Sequence, residues 1–427
     1  MALKGFILSL WLVLSVSLVP ALGQSGNNNT IDMLIEAALE HNPELHDLEY
    51  AGQAAGYRAR AAGGLPDPQI SFAAVNLPKS SLSFDKTPMS GFVIGISQTI
   101  PWPSYLSNQS GIAGLEHQNS LVKIDLLKNQ IVREVKTAYY EYSYWTLAEN
   151  ILNQNLELIE ALIQSADTRY STGIGTARDL LKGQTSRARL NNRLLLVNQN
   201  RIKALNQLIR LTDGSLNLDK NLPADIPESL ETISAEQIES AIATSPLIQE
   251  ADLNSSTAEK RIALERSRYW PNLMLGVDYN LREYVPGDPV KGENYLSFKI
   301  GLSIPLWSFK NQRNQTRAAQ ALYESAQWRE TALHRKIDQQ LADIETALQT
   351  YRSSLGQYDS AIIPQAQAGF ETAQIAYEVG QVDFDALLSS QLELLEIELE
   401  RLNLLKLYHQ KTAELDELLG SALEVKS

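Results

Sequence analysis

The chain is 427 residues long, 44% hydrophobic and 20% charged, with no cysteine and a formal net charge of −13. Without cysteine there is no disulfide scaffold, thiolate zinc site, cysteine nucleophile or cysteine-linked lipid. The acidic balance excludes a nucleic-acid partner, which needs a basic surface, and five scattered histidines supply no His-x-x-x-His metal pair.

Residues 1–23 read as an export signal. Lys4 provides the positive start, Phe6 to Val19 is an apolar run, and Ala21-Leu22-Gly23 fits a small-x-small cleavage site. The mature chain is then expected to begin near Gln24. Beyond this run no apolar stretch is long enough to cross a membrane as a helix.

The rest of the chain reads as a duplication. Asn42-Pro43 recurs as Ser245-Pro246, and Pro68 to Phe72 as Pro271 to Leu275, both at a spacing of 203 residues. Pro101-Trp102 recurs at Pro305-Leu306-Trp307, Tyr170-Ser171-Thr172-Gly173 at Tyr377-Glu378-Val379-Gly380, and Gln184 at Gln391. The order is kept throughout, which chance matches do not do over half a chain. The expected layout is a first repeat over 24–212, a connector over 213–234, a second repeat over 235–420 and a tail over 421–427.

In chain order, a helix is expected over 31–63, followed by two extended segments at 69–76 and 92–100. A very long helix follows from about 106 to 170, on the order of 95 Å, and a further helix over 178–212. The second repeat is expected to run as helix 235–268, strands 273–281 and 296–304, helix 308–378 and helix 384–419. Pro364 is expected to kink the helix 308–378 about four turns before Gly380.

The later strands alternate strictly. Leu273, Leu275, Val277, Tyr279 and Leu281 interleave with Met274, Gly276, Asp278 and Asn280, and Leu296, Phe298, Ile300, Leu302 and Ile304 with Ser297, Lys299, Gly301 and Ser303. Their length suits tilted membrane strands, and Trp102, Trp270 and Trp307 fall at one edge, as an interface girdle requires. Four strands cannot close a barrel, so other chains must complete it: two chains make eight strands, three make twelve with room for a lumen. Ser297, Lys299, Ser303, Asp278 and Asn280 form the polar, inward set. In the long helix Ile124, Ile131, Ala138, Trp145, Leu152 and Ile159 recur every seven residues, a coiled-coil seam.

No enzyme chemistry is evident: there is no Ser/His/Asp spacing, phosphate loop, metal cluster or cofactor motif. The two helix breaks are the candidate functional segments, centred on Tyr170, Gly173, Arg178 and Asp179 and on Tyr377, Gly380, Asp383 and Asp385. The glycines permit the reversal, and Asp179 or Asp383 favours the next helix start. Their charges contrast. Over 169–184, Arg169, Arg178 and Lys182 face Asp179, a net +2, whereas over 376–391 Glu378, Asp383 and Asp385 give −3.

The signal, the duplicated helix–strand–strand–helix unit, Leu65-Pro66-Asp67-Pro68 before the first strand, and the Tyr-x-x-Gly tips with their following Leu-Leu resemble the TolC-like outer-membrane efflux proteins over residues 31–420. The resemblance implies a mainly α fold with a membrane β-barrel. Three chains would form a twelve-stranded barrel in outer-membrane lipid, above a long periplasmic α-barrel of coiled-coil helices. It also implies an equatorial belt from 31–43, 213–240 and the C-terminal end. At the tips the family docks a periplasmic adaptor and opens an entrance; where some members carry paired acids in the second tip, this chain has Ala386 and Ser389. Pro66-Asp67-Pro68, Asn76-Leu77-Pro78, Thr87-Pro88-Met89 and Ser97-Gln98-Thr99-Ile100-Pro101-Trp102-Pro103 together are similar to the heavy-metal cation branch, whose inner-membrane pump is of the resistance–nodulation–division type. The function implied is a passive exit duct of a tripartite efflux system. Alternatives are the exit channel of a type I protein secretion system and, from another class, a periplasmic coiled-coil structural protein or adhesin.

Overall fold

A computed structural model describes residues 28–216, 222–230 and 234–420. The export signal at 1–23 and the tail at 421–427 lie outside the described residues. The expected first helix is two helices, α1 (Asn28–His41) and α2 (Pro43–Ala61), and its repeat is likewise α5 (Ala235–Ala243) and α6 (Pro246–Ser267). The cause is the Asx/Ser-Pro pair in each. Proline has no N–H to continue the ladder and pushes the preceding residue towards extended geometry. Asn42 (φ −71°, ψ 117°) accepts from the Glu44 and Leu45 amides at 2.9 and 3.0 Å, starting α2 afresh. Ser245 accepts from the Leu247 amide and donates to the Leu418 carbonyl at 3.1 Å.

The strands β1 (Gln69–Val75), β2 (Gly91–Ile100), β3 (Asn272–Arg282) and β4 (Tyr295–Ser303) make one antiparallel sheet in the order β1-β2-β3-β4. The register pairs Gly95 with Asp278 and Asp278 with Ser297, so the polar alternates share one face. On that face Asp278 pairs with Lys299, and Asn280 donates to the Ser297 hydroxyl at 3.2 Å. Gly95 is needed there: a Cβ would meet the Asp278 carboxylate and the Ser71 hydroxyl, each at 2.6 Å. The opposite face carries Ile70, Phe72, Ile96, Phe298 and Ile300, with Phe298 75% and Ile300 77% exposed. An aqueous sheet would bury such a face; this one is uncovered, and both edge strands, β1 and β4, are open.

Helix α3 (Pro103–Ser171) runs 69 residues, about 100 Å. It is followed by α4 (Ala177–Leu211), α7 (Asn311–Gln357), α8 (Ile363–Glu378) and α9 (Phe384–Leu419). The seven-residue row is the core seam: Ile131, Ala138, Leu152 and Ile159 are buried, packed with Leu395, Leu399 and Leu402 of α9 and Leu190 and Val197 of α4. Two polar side chains interrupt it, with Gln391 Nε2 donating to Asn155 Oδ1 at 2.5 Å. Ahead of Pro364 the chain widens into a π-helical turn at Tyr358–Ile362, where the Ile363 amide reaches back to the Tyr358 carbonyl. A proline in the next turn cannot donate to its own i−4 carbonyl, and a wide turn accommodates that loss. The turn is tied to α9 through Tyr358 to Glu400 at 2.8 Å and Arg401 to Asp359. At mid-height the connector 222–230 crosses the bundle, its Leu222 and Pro223 carbonyls accepting from Tyr142 and Tyr139 at 3.1 Å. Arg401 grips Glu228 of the same segment at 2.7 Å.

Candidate functional site: the paired helix tips

Each tip ends its helix in the same way. Gly173 (φ +77°) and Gly380 (φ +76°) occupy the left-handed region, which glycine adopts without a Cβ penalty. The Ile174 amide reaches the Arg169 carbonyl at 2.9 Å, and the Gln381 amide the Ala376 carbonyl at 2.8 Å, satisfying end-of-helix acceptors. The following helices start on Thr176 and Asp383, which are repeat-related N-caps. Thr176 and Asp179 form a capping box, so Asp179 supports the cap rather than being it, and Asp383 Oδ1 accepts from the Ala386 amide at 2.9 Å.

The tips are joined across the repeat. Arg169 at the end of α3 donates to the Tyr377 carbonyl at 3.0 Å, and its guanidinium stands 4.8 Å from the Tyr377 ring centroid. Tyr377 packs edge-on against Phe384 at 5.8 Å. As a result Tyr377 is 5% exposed while its repeat partner Tyr170 is 48% exposed. Burial pushes the Tyr377 hydroxyl pKa above its usual range. Lys182 of α4 forms an ion pair with Asp385 of α9, and its hydrogen bond, with Arg178 nearby, holds the Asp385 carboxyl below the ordinary aspartate range. Higher in the same pairing Arg193 meets Glu396 through both nitrogens, while Arg201 of α4 meets Glu149 of α3 at 2.9 Å. Between the two tips, Lys182 and Asp385 are thus matched within one chain, while Arg169 binds carbonyls.

Gly183 sets the spacing. A Cβ there would lie 2.7 Å from Ile163 Cγ1 and 3.3 Å from Phe384 Cζ. Around these contacts Tyr170, Ile174, Leu181 and Val379 remain exposed. Sequence reasoning counted Arg169 and Lys182 only as charges and did not single out Gly183, Thr176 or Phe384. Thr176 was within reach, since it sits opposite Asp383 at the tip spacing; Arg169 was not, because its partner is a carbonyl.

At the other end of the molecule Trp102 and Trp270 stack, with ring centroids 4.9 Å apart and planes 11° apart, and Trp307 is exposed. The registers Ile100 with Leu273 and Asn272 with Ser303 bring all three to the same end of the sheet.

Three solved structures illustrate the likeness in fold. A membrane protein from Pseudomonas aeruginosa superposes with a TM-score of 0.78 at 18% identity, over 91% of this chain and 93% of the other. CusC, described as forming a transmembrane channel, gives 0.78 at 16% identity over 93% and 95%. The open state of the MtrE outer membrane channel of Neisseria gonorrhoeae gives 0.74 at 15% identity over 92% and 89%. A search of curated protein sequences finds no match. The family model for outer membrane efflux proteins matches residues 34–214 and 237–421, both repeats. Family and fold agree: the chain belongs to the outer membrane efflux protein family, the TolC-like proteins of the outer membrane, and has the fold of solved outer membrane channels.

Proposed function

We propose that three copies form one passive exit duct of a tripartite efflux system, carrying small solutes from the periplasm to the medium. The observation that carries this reading is the sheet. Its four strands expose a continuous apolar face on one side, present a polar face on the other and end in two open edges. In lipid an open edge leaves backbone groups unpaired, so β4 of one copy pairs with β1 of the next until the ring closes. Three copies make twelve strands, a ring wide enough for a wet lumen lined by the Asp278 and Lys299 face. Trp102, Trp270 and Trp307 then mark the periplasmic interface of the barrel, and Pro364 the place where α7 gives way to α8 near the entrance.

The tips, with Tyr170, Gly173, Arg178, Asp179, Tyr377, Gly380, Asp383 and Asp385, are the docking end for a periplasmic adaptor. Their exposed Tyr170, Ile174, Leu181 and Val379 give that partner apolar purchase. An inner-membrane pump of the resistance–nodulation–division type supplies the energy, since the chain has no nucleotide-binding loop. Heavy-metal cations are the proposed cargo, on the resemblance of the 66–103 segment to the heavy-metal cation branch. Deletion of the gene tests both levels. Sensitivity to cations is expected to rise. A rise confined to dyes, bile salts or antibiotics keeps the duct and removes the metal cargo; unchanged sensitivity to all of these overturns the efflux role.

A further inference from the structure

Just below the sheet this acidic chain carries a basic stretch. From Asn294 to Tyr323 there is no acidic residue, while Lys310, Arg313 and Arg317 follow one another at spacings of three and four. On α7 and its first flanking residue, those spacings line the three side chains along one helix face. All three are exposed and, among the described residues, none has an acidic partner. Helix chemistry does not explain them. Positive charge at a helix N-terminus opposes the macrodipole, and the first turn of α7 holds no acid.

Topology supplies a second set. Helix α2 ends at Ala61, shortly before edge strand β1, and α7 starts at Asn311, shortly after the other edge strand, β4. Arg58 and Arg60 stand exposed in the last turn of α2, again without an acidic partner, Arg60 lying over the Tyr57 ring at 4.6 Å. Closing the barrel by pairing β4 with the next copy's β1 brings Lys310, Arg313 and Arg317 beside the last turn of α2, where Arg58 and Arg60, two positions apart, lie on opposite sides of the helix and one of them faces the seam; Asp67, between α2 and β1, is the one carboxylate of that connection. Directly above the cations Leu306, Trp307 and Phe309 are all more than 60% exposed: 73, 68 and 67%.

We propose that this seam binds the phosphate-bearing headgroup of an anionic phospholipid in the inner leaflet of the outer membrane. One arginine of the α2 end, Arg58 or Arg60, comes from one copy and Lys310, Arg313 and Arg317 from its neighbour, with Trp307 at the headgroup–acyl boundary. The inference rests on the trimeric barrel proposed above. Like charges converging on a seam repel until an anion sits between them, and an aromatic beside a basic cluster at the membrane boundary matches the headgroup and the upper acyl chain together.

The full-length protein in nanodiscs of phosphatidylethanolamine with phosphatidylglycerol tests this by native mass spectrometry. The expected result is a trimer retaining phosphatidylglycerol in preference to phosphatidylethanolamine. A Lys310→Gln, Arg313→Gln, Arg317→Gln triple variant is expected to keep its trimer mass and melting temperature but to bind phosphatidylglycerol roughly a hundredfold more weakly, from about fivefold per cation. Arg58→Gln with Arg60→Gln is expected to weaken it from the other side of the seam. A trimer with no preference between the two lipids, or variants that retain phosphatidylglycerol as wild type does, overturns the site alone. Displacement of the lipid by equimolar inorganic phosphate overturns the lipid as ligand. A particle that is not trimeric overturns the parent reading and the seam with it.

Discussion

Arg169 and Tyr377 lie 208 positions apart, yet the guanidinium of one donates to the carbonyl of the other at 3.0 Å and covers its ring at 4.8 Å. One side chain thus ties the first tip to the second. Arg169→Ala removes both contacts. A hydrogen bond from a charged donor contributes about 1.5–3 kcal/mol and a cation–π contact about 0.5–2 kcal/mol. Even half of that shifts a closed-to-open equilibrium by roughly tenfold. Single-channel recording in planar bilayers is expected to show larger mean conductance or longer openings, and conductance equal to wild type would remove Arg169 from control of the entrance.

The second tie is Lys182 to Asp385, and its pH dependence follows from sign. The Asp385 carboxyl is held below the ordinary aspartate range by the Lys182 hydrogen bond and by Arg178. A depressed carboxylate stabilises the native pairing above the unfolded aspartate value of about 3.9 and loses that effect as pH falls through the folded value. Wild-type conductance is therefore expected to be flat from neutral pH down to about 5 as far as this pair governs it. Asp383→Ala with Asp385→Ala is expected to change conductance or cation block already at neutral pH. A wild-type step between pH 7 and 5 that Asp385→Asn abolishes would contradict the depressed carboxyl.

Gly183 is a close-packing glycine, because a Cβ would stand 2.7 Å from Ile163 Cγ1. Gly183→Val forces α4 away from α3 and loosens the pocket of Phe384. Overpacking of this kind costs about 1–3 kcal/mol. A thermal melt in detergent is expected to fall by several degrees, and an unchanged melt would show that the tip absorbs the added volume freely.

The buried amides Asn155 and Gln391 bind each other at 2.5 Å inside a mainly apolar seam. Asn155→Leu alone leaves Gln391 buried without its partner, which costs about 1–3 kcal/mol, whereas replacing both by leucine is nearly neutral. The expected mark is a strongly non-additive double-mutant cycle in thermal stability. An additive cycle would mean that the two amides act independently. Since a single buried polar pair in a coiled coil specifies register, the double leucine variant is also expected to exchange amide hydrogens faster along α9.

Much of this molecule was legible from local chemistry. Period-two alternation located the strands to within a residue or two, because each half-exposed strand must present one face to each environment. The seven-residue row located α3, and the tip glycines located the reversals, because those signals reside in a few regularly spaced residues. The collinear repeat then organised the whole. Signals in competition were misread: the apolar periodicity over 31–63 and 235–268 ran through Asn42-Pro43 and Ser245-Pro246, where the chain restarts its helix.

What sequence determined, then, was the set of elements, their duplication and the apolar and polar faces of each strand. Tertiary structure alone decided which tip residues meet. The exposed Tyr170 and buried Tyr377 occupy equivalent positions and differ only in what packs on them. The cross-repeat bonds of Arg169 and Lys182 form between residues about 200 positions apart. No local pattern encodes such a pairing, because the free energy that selects it comes from the packed core of α3, α4 and α9, which brings the two tips side by side.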